Sequence, residues 1–359
     1  MVIIYSENRC FLINHDRPTN FYQDIGGNLE KYQLKNVLFD NFKRKQKVKS
    51  KSINIPDDLK SLNDKIQVFL VACKSRNTFP STDEHDIDNL KTLNVELMNK
   101  FYESSTEFGF FHGENNLNEG RVMMMNDSSF LIPPRCRFFN KKIEDIKTFL
   151  PESEANKFDF IVIDPPWTNR YIKRVKKNSS NKQGYSMMSD EEIVKIPLEN
   201  YIGKSSIVVI WSTNSDSHIN AIKDKFLENW KLKLLSSWQW VKVDKNGELF
   251  CAIDGNKKPF EQIFIATHIE NFHYDKELEQ NFTMFSQPSS IHSHKPPLIG
   301  EKCDRSYGIF IFSITEIFRK YLPNDPKCLE IFARNLNENF TSVGLEVLKL
   351  QNVMLFDKV

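Results

Sequence analysis

The chain of 359 residues is long enough for a full α/β core and one smaller appended region. Lys+Arg at 49 against Asp+Glu at 47 leaves a net charge of +2, so the molecule is no polycation, and 12 glycines argue against a glycine-rich phosphate cradle. Six cysteines with no CxxC argue against a structural zinc site and against a disulfide framework.

In chain order, the opening "MVIIYSENRC" holds an apolar run too short for a signal peptide, and no segment approaches the ~18 apolar residues of a membrane span. A soluble, intracellular protein is expected. Residues 1–130 are polar and Asn-rich and read as an appended, partly helical region. Within them "FKRKQKVKSK" (42–51) carries six cations. It reads as a solvated linker, a nuclear-localisation signal or a nucleic-acid contact. The clearest helix there is "STDEHDIDNLKTLNVELMNKFYESS". Ser81 and Glu84 have capping-box spacing, and Ile87, Leu90, Leu93/Asn94, Leu97/Met98 and Phe101 share one face.

From Leu131 onward short apolar runs alternate with helical patterns. Strands are predicted at 137–139, 158–163, 206–211, 234–243, 262–267 and 328–332. Helices are predicted at 190–195, with Ser189 capping towards Glu192, and at 216–229 and 307–321. This alternation predicts an α/β fold with a mostly parallel sheet and helices on both faces. Ligands of such sheets bind at the carboxyl ends of strands. Residues 168–184 and 271–293 lack periodicity and read as loops flanking the site. Trp211, Trp238 and Trp240 fall on apolar runs and read as core. His292 and His294, one residue apart with no third ligand in view, make a weak metal site.

The run "FDFIVIDPPW" (158–167) raises the chemical question. One reading is a strand-terminating turn: the aspartate accepts backbone bonds, proline ends the strand, and tryptophan packs. The wholly apolar strand before it and the basic "RYIKRVKK" (170–177) after it point to a site instead. An exocyclic amine on a base is a poor nucleophile, and no side chain deprotonates it at neutral pH. A carboxylate and a backbone carbonyl accepting its two N–H bonds would aim its lone pair at an electrophile. Proline would fix that carbonyl's direction. The indole would offer a face on which an extruded base stacks, worth roughly 1–3 kcal/mol. Asp164, Pro165, Pro166 and Trp167 are therefore the catalytic candidates. Asn169, Arg170, Lys173 and Arg174 are placed on the substrate side, where the cations would meet phosphates. Lys258 and Glu261 flank the start of a strand and are candidates for the same side.

"DPPW" closing an apolar strand resembles motif IV of the adenine-N6 methyltransferases, the family of the messenger-RNA adenosine-N6 writer. Further matches follow in order: "GYSMMSDEEI" (184–193), "IVVIWSTN" (207–214), "SSWQWVKVDKNGELF" (236–250), "KKPFEQIFIAT" (257–267), "SSIHSHKP" (289–296) and "LEIFARNLNENFTSVGLEVLK" (329–349). The resemblance covers about residues 130–352. It implies a Rossmann-like S-adenosylmethionine-dependent methyltransferase fold, circularly permuted in the β-class motif order. The domain would span 131–359 behind a mainly helical region of 1–130.

By the same resemblance Asp164 and the Pro165 carbonyl would hold the N6 amine, and Pro166 would shape the pocket. Trp167 would stack on the base or wall it. Tyr185 would lie in the first active-site loop and His294 beside Lys295 in the second. Lys295 would reach the cofactor carboxylate. Glu330 and Arg334 would frame its ribose, with Asn335, Asn337 and Glu346 nearby, and backbone at Arg135 and Cys136 would contact its adenine. The chain departs from its relatives at Gly344-Leu345-Glu346, where they carry asparagine in place of Leu345. One lost hydrogen bond costs about 0.5–1.5 kcal/mol.

The implied substrate is adenine in nucleic acid, flipped or single-stranded. It would be internal 2′-O-methyladenosine of U2 small nuclear RNA, with DNA adenine or a non-catalytic RNA-binding role as alternatives. No metal and no membrane are implied. The expected protein acts as a monomer, in the nucleus or also in the cytoplasm.

Overall fold

The computed structural model describes residues 3–7, 10–13, 18–19, 32–39, 56–79, 87–103, 109–153, 157–168, 187–253, 258–291, 294–296, 318–319 and 321–358. Strands before the expected boundary are β1 (Ile3–Glu7), β2 (Cys10–Ile13), β3 (Pro18–Thr19), β4 (Tyr32–Leu34), β5 (Phe111–Asn115) and β6 (Arg121–Met125). β7 (Ser128–Ile132) crosses it. Beyond lie β8 (Cys136–Asn140), β9 (Phe158–Ile163), β10 (Ile202–Ser212), β11 (Leu232–Lys242), β12 (Phe260–His268) and β13 (Thr283–Ser286). β14 (Cys328–Ile331), β15 (Phe340–Val343) and β16 (Phe356–Lys358) close the chain.

Eleven strands form one sheet in the order β1-β2-β13-β11-β12-β10-β9-β14-β15-β8-β5. Its middle, β10-β9-β14-β15-β8, is parallel throughout. β12 runs antiparallel to β10 and to β11, so the sheet is mixed, although six of the ten pairings among its described strands are parallel, as expected. From Phe160 to Ile163 β9 is apolar at both alternations because both faces are covered. Phe160 and Val162 enter one buried cluster with Trp211, Trp238 and Trp240. Ile161 and Ile163 enter the other, with Trp167 and Phe226. From β9 the chain proceeds outward to β10, and from β14 outward the other way to β15. The carboxyl ends of β9 and β14 therefore flank a topological switch point, where open α/β sheets bind ligands.

The predicted strands are present with ends moved by up to four residues. The capping box holds: Glu192 N–H donates to Ser189 Oγ, and Ser189 N–H donates to Glu192 Oε2 at 2.7 Å. The helix expected at 307–321 lies outside the described residues apart from 318, 319 and 321, and so do Ser81, Glu84 and the basic run 42–51. Residues 271–291 are more regular than expected, while His292 and Ser293 lie outside the described residues. Residues 271–291 contain a 3-10 turn, Lys276–Glu279, and the fully buried β13.

The amino-terminal region differs most from expectation. It does carry helices, Asp57–Ser75 and Ile87–Glu103. It also supplies strands to the main sheet: β2 pairs with β13, and β5 with β8. Residue 130 falls inside the β6–β7 hairpin, whose turn residues Asn126 and Asp127 have φ of 48° and 59°, as a two-residue turn between twisted strands requires. Among its described residues the region thus combines helices with strands, and β7 runs across residue 130. On the helix Ile87–Glu103, Met98 and Phe101 face inward, but Leu93 is exposed and Asn94 is buried in its place. The Asn94 amide donates to the Val37 carbonyl and to Ser290 Oγ.

Candidate active site

Asp164 is the first residue past β9, and Phe332 the first past β14. The register Ile163↔Ile331 sets them side by side at the switch point. Phe332 adopts φ of 62°, a conformation that bulky L residues avoid and that concentrates at functional sites. Gly344, first past β15, is needed there: a Cβ would stand 2.5 Å from the Ala333 carbonyl oxygen. Two cavities open on this edge and share Phe332 and Arg334. A narrow one of about 20 Å³ is lined by Asp164, Trp211, Lys295, Glu330 and Asn335 among others. A cleft of about 240 Å³ is lined by Lys141, Lys142, Pro166, Met188, Leu345 and Glu346 among others.

The narrow cavity is a charge cluster. Lys295 Nζ lies 2.6 Å from Glu261 Oε2 and 3.4 Å from Asp164 Oδ2, over the rings of Trp211 and Trp240. Glu261 also binds Lys242 at 2.5 Å. Burial alone would raise Glu261, but Lys295 and Lys242 outweigh it and draw its carboxyl down to about 2. Burial opposes the charge on Lys295, yet Asp164 and Glu261 hold its ammonium above the ordinary lysine value. Asp164 is raised, by burial first, with Lys295 and Arg334 opposing and Glu261 adding to the rise. Glu330 is pushed up to about 8 by burial and the nearby Asp164, against the Asn337 amide that donates to its Oε2 at 2.9 Å. Near neutrality Glu330 is therefore largely a neutral acid beside a carboxylate.

The structure brings Asp164, Lys295, Glu330, Arg334 and Asn335 around one cavity. Asn337 reaches it through Glu330. Arg334 Nε pairs with Glu346 Oε2 at 3.3 Å, and Glu346 pairs in turn with Lys349. The Pro165 carbonyl accepts the Trp167 N–H at 2.8 Å, and the Pro166 carbonyl accepts from Met188 N–H at 3.0 Å. An amine at Pro165 would take the carbonyl's second lone pair.

Several expectations are corrected. Trp167 offers no open face: it is 4% exposed, its Nε1–H donates to the Trp211 carbonyl, and Phe226 stacks on it at 5.9 Å. Arg135 and Cys136 stand at the amino end of β8, whereas parallel pairing with β15 points the carboxyl end, Asn140, at the site. Four residues of strand put them about 13 Å away. The Arg135 guanidinium is tied to Glu338, Asn339 and Asn118. The Cys136 thiol is pushed by burial to about 12. His294 turns to Ser289, whose Oγ meets its Nδ1 at 2.8 Å, and burial lowers its ring to about 4, so it is neutral. Lys258 lies over Phe260 and lines neither cavity. Asn169, Arg170, Lys173, Arg174 and Tyr185 lie outside the described residues.

Sequence reasoning passed over Lys141 and Lys142, although they follow an apolar strand by the same grammar that singles out Asp164. It also treated Trp211 as core only. Trp211 lines the narrow cavity, and its buried Nε1 has no hydrogen-bond partner among the described residues. That orphan donor, with Lys295 and Arg334, suits a group bearing a carboxylate. Asp164 and Glu330 suit an amine or hydroxyls, and the wider cleft suits a flat, partly apolar moiety. The donor set thus fits an amino-acid-bearing nucleoside cofactor, with Lys295 at its carboxylate end. Among the described residues no cluster of three metal-ligating side chains occurs, and no helix is long and apolar enough to cross a membrane.

A family model described as MT-A70 matches residues 158–346. The chain is 30% identical over 346 residues to the N(6)-adenine-specific methyltransferase METTL4 of Homo sapiens, covering 92% of this chain and 65% of that protein. It is 28% identical over 231 residues to the N6-methyladenosine RNA methyltransferase MTA1 of Pyricularia oryzae (62% and 55%). It is 27% identical over 242 residues to a DNA N6-methyl methyltransferase of Caenorhabditis elegans (67% and 59%). The chain spans less than two thirds of the length of each.

Proposed function

The chain belongs to the MT-A70 family of S-adenosylmethionine-dependent methyltransferases, and from that premise we propose that it methylates the N6 amine of adenine in nucleic acid. The observation that carries this reading is Asp164 at the switch point, a raised, poorly solvated carboxylate followed by a fixed Pro-Pro turn. Asp164 accepts one N6 hydrogen and the Pro165 carbonyl the other, which aims the nitrogen's lone pair. Lys295 balances the Asp164 charge while Glu261 holds Lys295 in place. When bound, the cofactor would supply an electrophilic methyl group, and Asp164, which accepts one N6 hydrogen, would be placed to take the proton that the methylated nitrogen gives up. Positioning and charge complementarity are the protein's main contribution.

The finer proposal is an RNA substrate, internal 2′-O-methyladenosine of U2 small nuclear RNA. The relatives named as RNA methyltransferases support RNA, and the relative named as a DNA methyltransferase keeps DNA adenine as the second reading. We assign the enzyme to the nucleus, acting as a monomer. The test is methyl transfer to matched RNA and DNA oligonucleotides, each with and without 2′-O-methyl at the target, using wild type and Asp164→Ala. Transfer to methylated RNA above the other three, lost in Asp164→Ala, is expected. Cofactor binding by wild type without transfer to any oligonucleotide would leave a non-catalytic RNA-binding subunit.

A further inference from the structure

The helix Asp216–Ala221 runs into a π-helical turn, Ile222–Phe226, before it ends at Leu227–Asn229. In an unbroken α-helix, residues eight apart stand about 80° out of line, since eight residues make roughly 2.2 turns. The one-residue slip of a π turn takes out about 100°, which returns such a pair to nearly one face. His218 and Phe226 are that pair. Their rings flank the Trp167 indole at 4.7 and 5.9 Å.

Packing against Trp167 does not require an imidazole, and this one is buried and doubly engaged. Nδ1 lies 3.0 Å from Asp190 Oδ1, and Nε2 lies 3.3 Å from the Thr168 carbonyl. Both partners only accept, so the ring serves both at once when each nitrogen carries hydrogen. Thr168 directly follows the Asp164–Trp167 turn, and Asp190 opens the capped helix Asp190–Ile193. The turn is thus held from behind at three successive residues: Pro166 by the Met188 amide, Trp167 by the Trp211 carbonyl, and Thr168 by His218.

We propose that His218, oriented by Asp190, is a positioning residue for the catalytic turn. It fixes the Thr168 carbonyl and, through the short Pro-Pro segment, the direction of the Asp164 carboxylate and the Pro165 carbonyl. It touches no reacting atom, and its effect on rate rests on the methyl-transfer reading above. A displacement on the order of 1 Å at such a turn costs roughly 10²-fold in rate.

The test compares His218→Ala, His218→Gln and His218→Asn. The glutamine amide reaches where Nε2 stood and retains the Thr168 bond; the asparagine amide reaches only where Nδ1 stood. Two readouts are taken. Amide exchange at Trp167 and Met188 is expected to quicken roughly three- to tenfold in the alanine and asparagine variants, the loss of one hydrogen bond, and to stay near wild type in the glutamine variant. The turnover rate should follow the same order, falling by up to roughly 10²-fold, while the dissociation constant for S-adenosylmethionine stays within about twofold. Equal behaviour of glutamine and asparagine, or an alanine variant matching wild type in both readouts, would overturn the proposal. So would faster exchange spread evenly along 216–221, which marks a packing role. An inactive wild type would sink the methyl-transfer reading alone, because the exchange pattern decides the positioning by itself.

Discussion

Glu330→Gln tests whether a neutral carboxylic acid sits at the switch point. With a folded value of about 8 against an ordinary ~4.3, the native state keeps a proton that the unfolded chain has released. Between those values the folded state binds more protons, so its stability falls as pH rises. The contribution is fully present below about 4.3 and is lost as pH climbs through about 8. From pH 5 to pH 7 the slope of one proton amounts to roughly 2–3 kcal/mol. Glutamine keeps the shape and an oxygen for the Asn337 amide, which donates at 2.9 Å, but it cannot titrate. Urea unfolding of both proteins at pH 5, 6, 7 and 8 isolates the difference, since every other group is shared. Wild type should lose about 2–3 kcal/mol relative to the variant between pH 5 and 7. Parallel curves would mean that Glu330 is ionised in the folded protein, and the charge balance drawn around Asp164 would be wrong.

Trp167→Phe removes the bond to the Trp211 carbonyl and part of the packing on Phe226 and His218. It should cost about 1–3 kcal/mol in urea unfolding and leave nucleic-acid affinity by anisotropy unchanged; a tenfold affinity loss at intact stability would restore the stacking role. Leu345→Asn, at a half-exposed cleft position, should tighten S-adenosylmethionine binding by roughly two- to tenfold in calorimetry. An unchanged constant would place the ribose elsewhere. Glu261→Gln leaves Lys295 and Lys242 facing each other and should destabilise by about 3 kcal/mol, the lower end for a broken buried pair because these side chains keep some exposure. Because the Glu261 carboxyl is depressed to about 2, its contribution is present above about 4.3 and fades as pH falls towards 2. The wild-type advantage should therefore shrink in acid, and a pH-independent difference would contradict the pairing.

The catalytic strand was readable because an unbroken apolar run ending on a carboxylate breaks the pattern of ordinary turns. Asp164, Lys295, Glu330 and Arg334 come from distant segments, and only a shared motif order put them on one page before the fold did. The hairpin at 121–132 and the edge strands β1 and β2 were not readable. They are short, β1 and the hairpin carry polar or methionine residues, and the place of β2 in the sheet depends on β13, some 270 residues further along the chain. Arg135 and Cys136 failed for a different reason: the strand was found, but the wrong end of it was assigned to the ligand. Trp167 failed because an indole beside a site looks like a platform until its N–H finds a buried carbonyl.

The pairing of β2 with β13 bears on how the protein is cut for expression. β13 is buried along its whole length, and only a few residues separate it from Ser289, His294 and Lys295. A fragment starting near residue 131 would leave one full row of β13 amides and carbonyls without its β2 partner, open to strands of other molecules. It would also lose Asn94, which holds Ser290 from the other side. The family-matched segment 158–346 thus shares its sheet with strands that lie outside it, β2 among them.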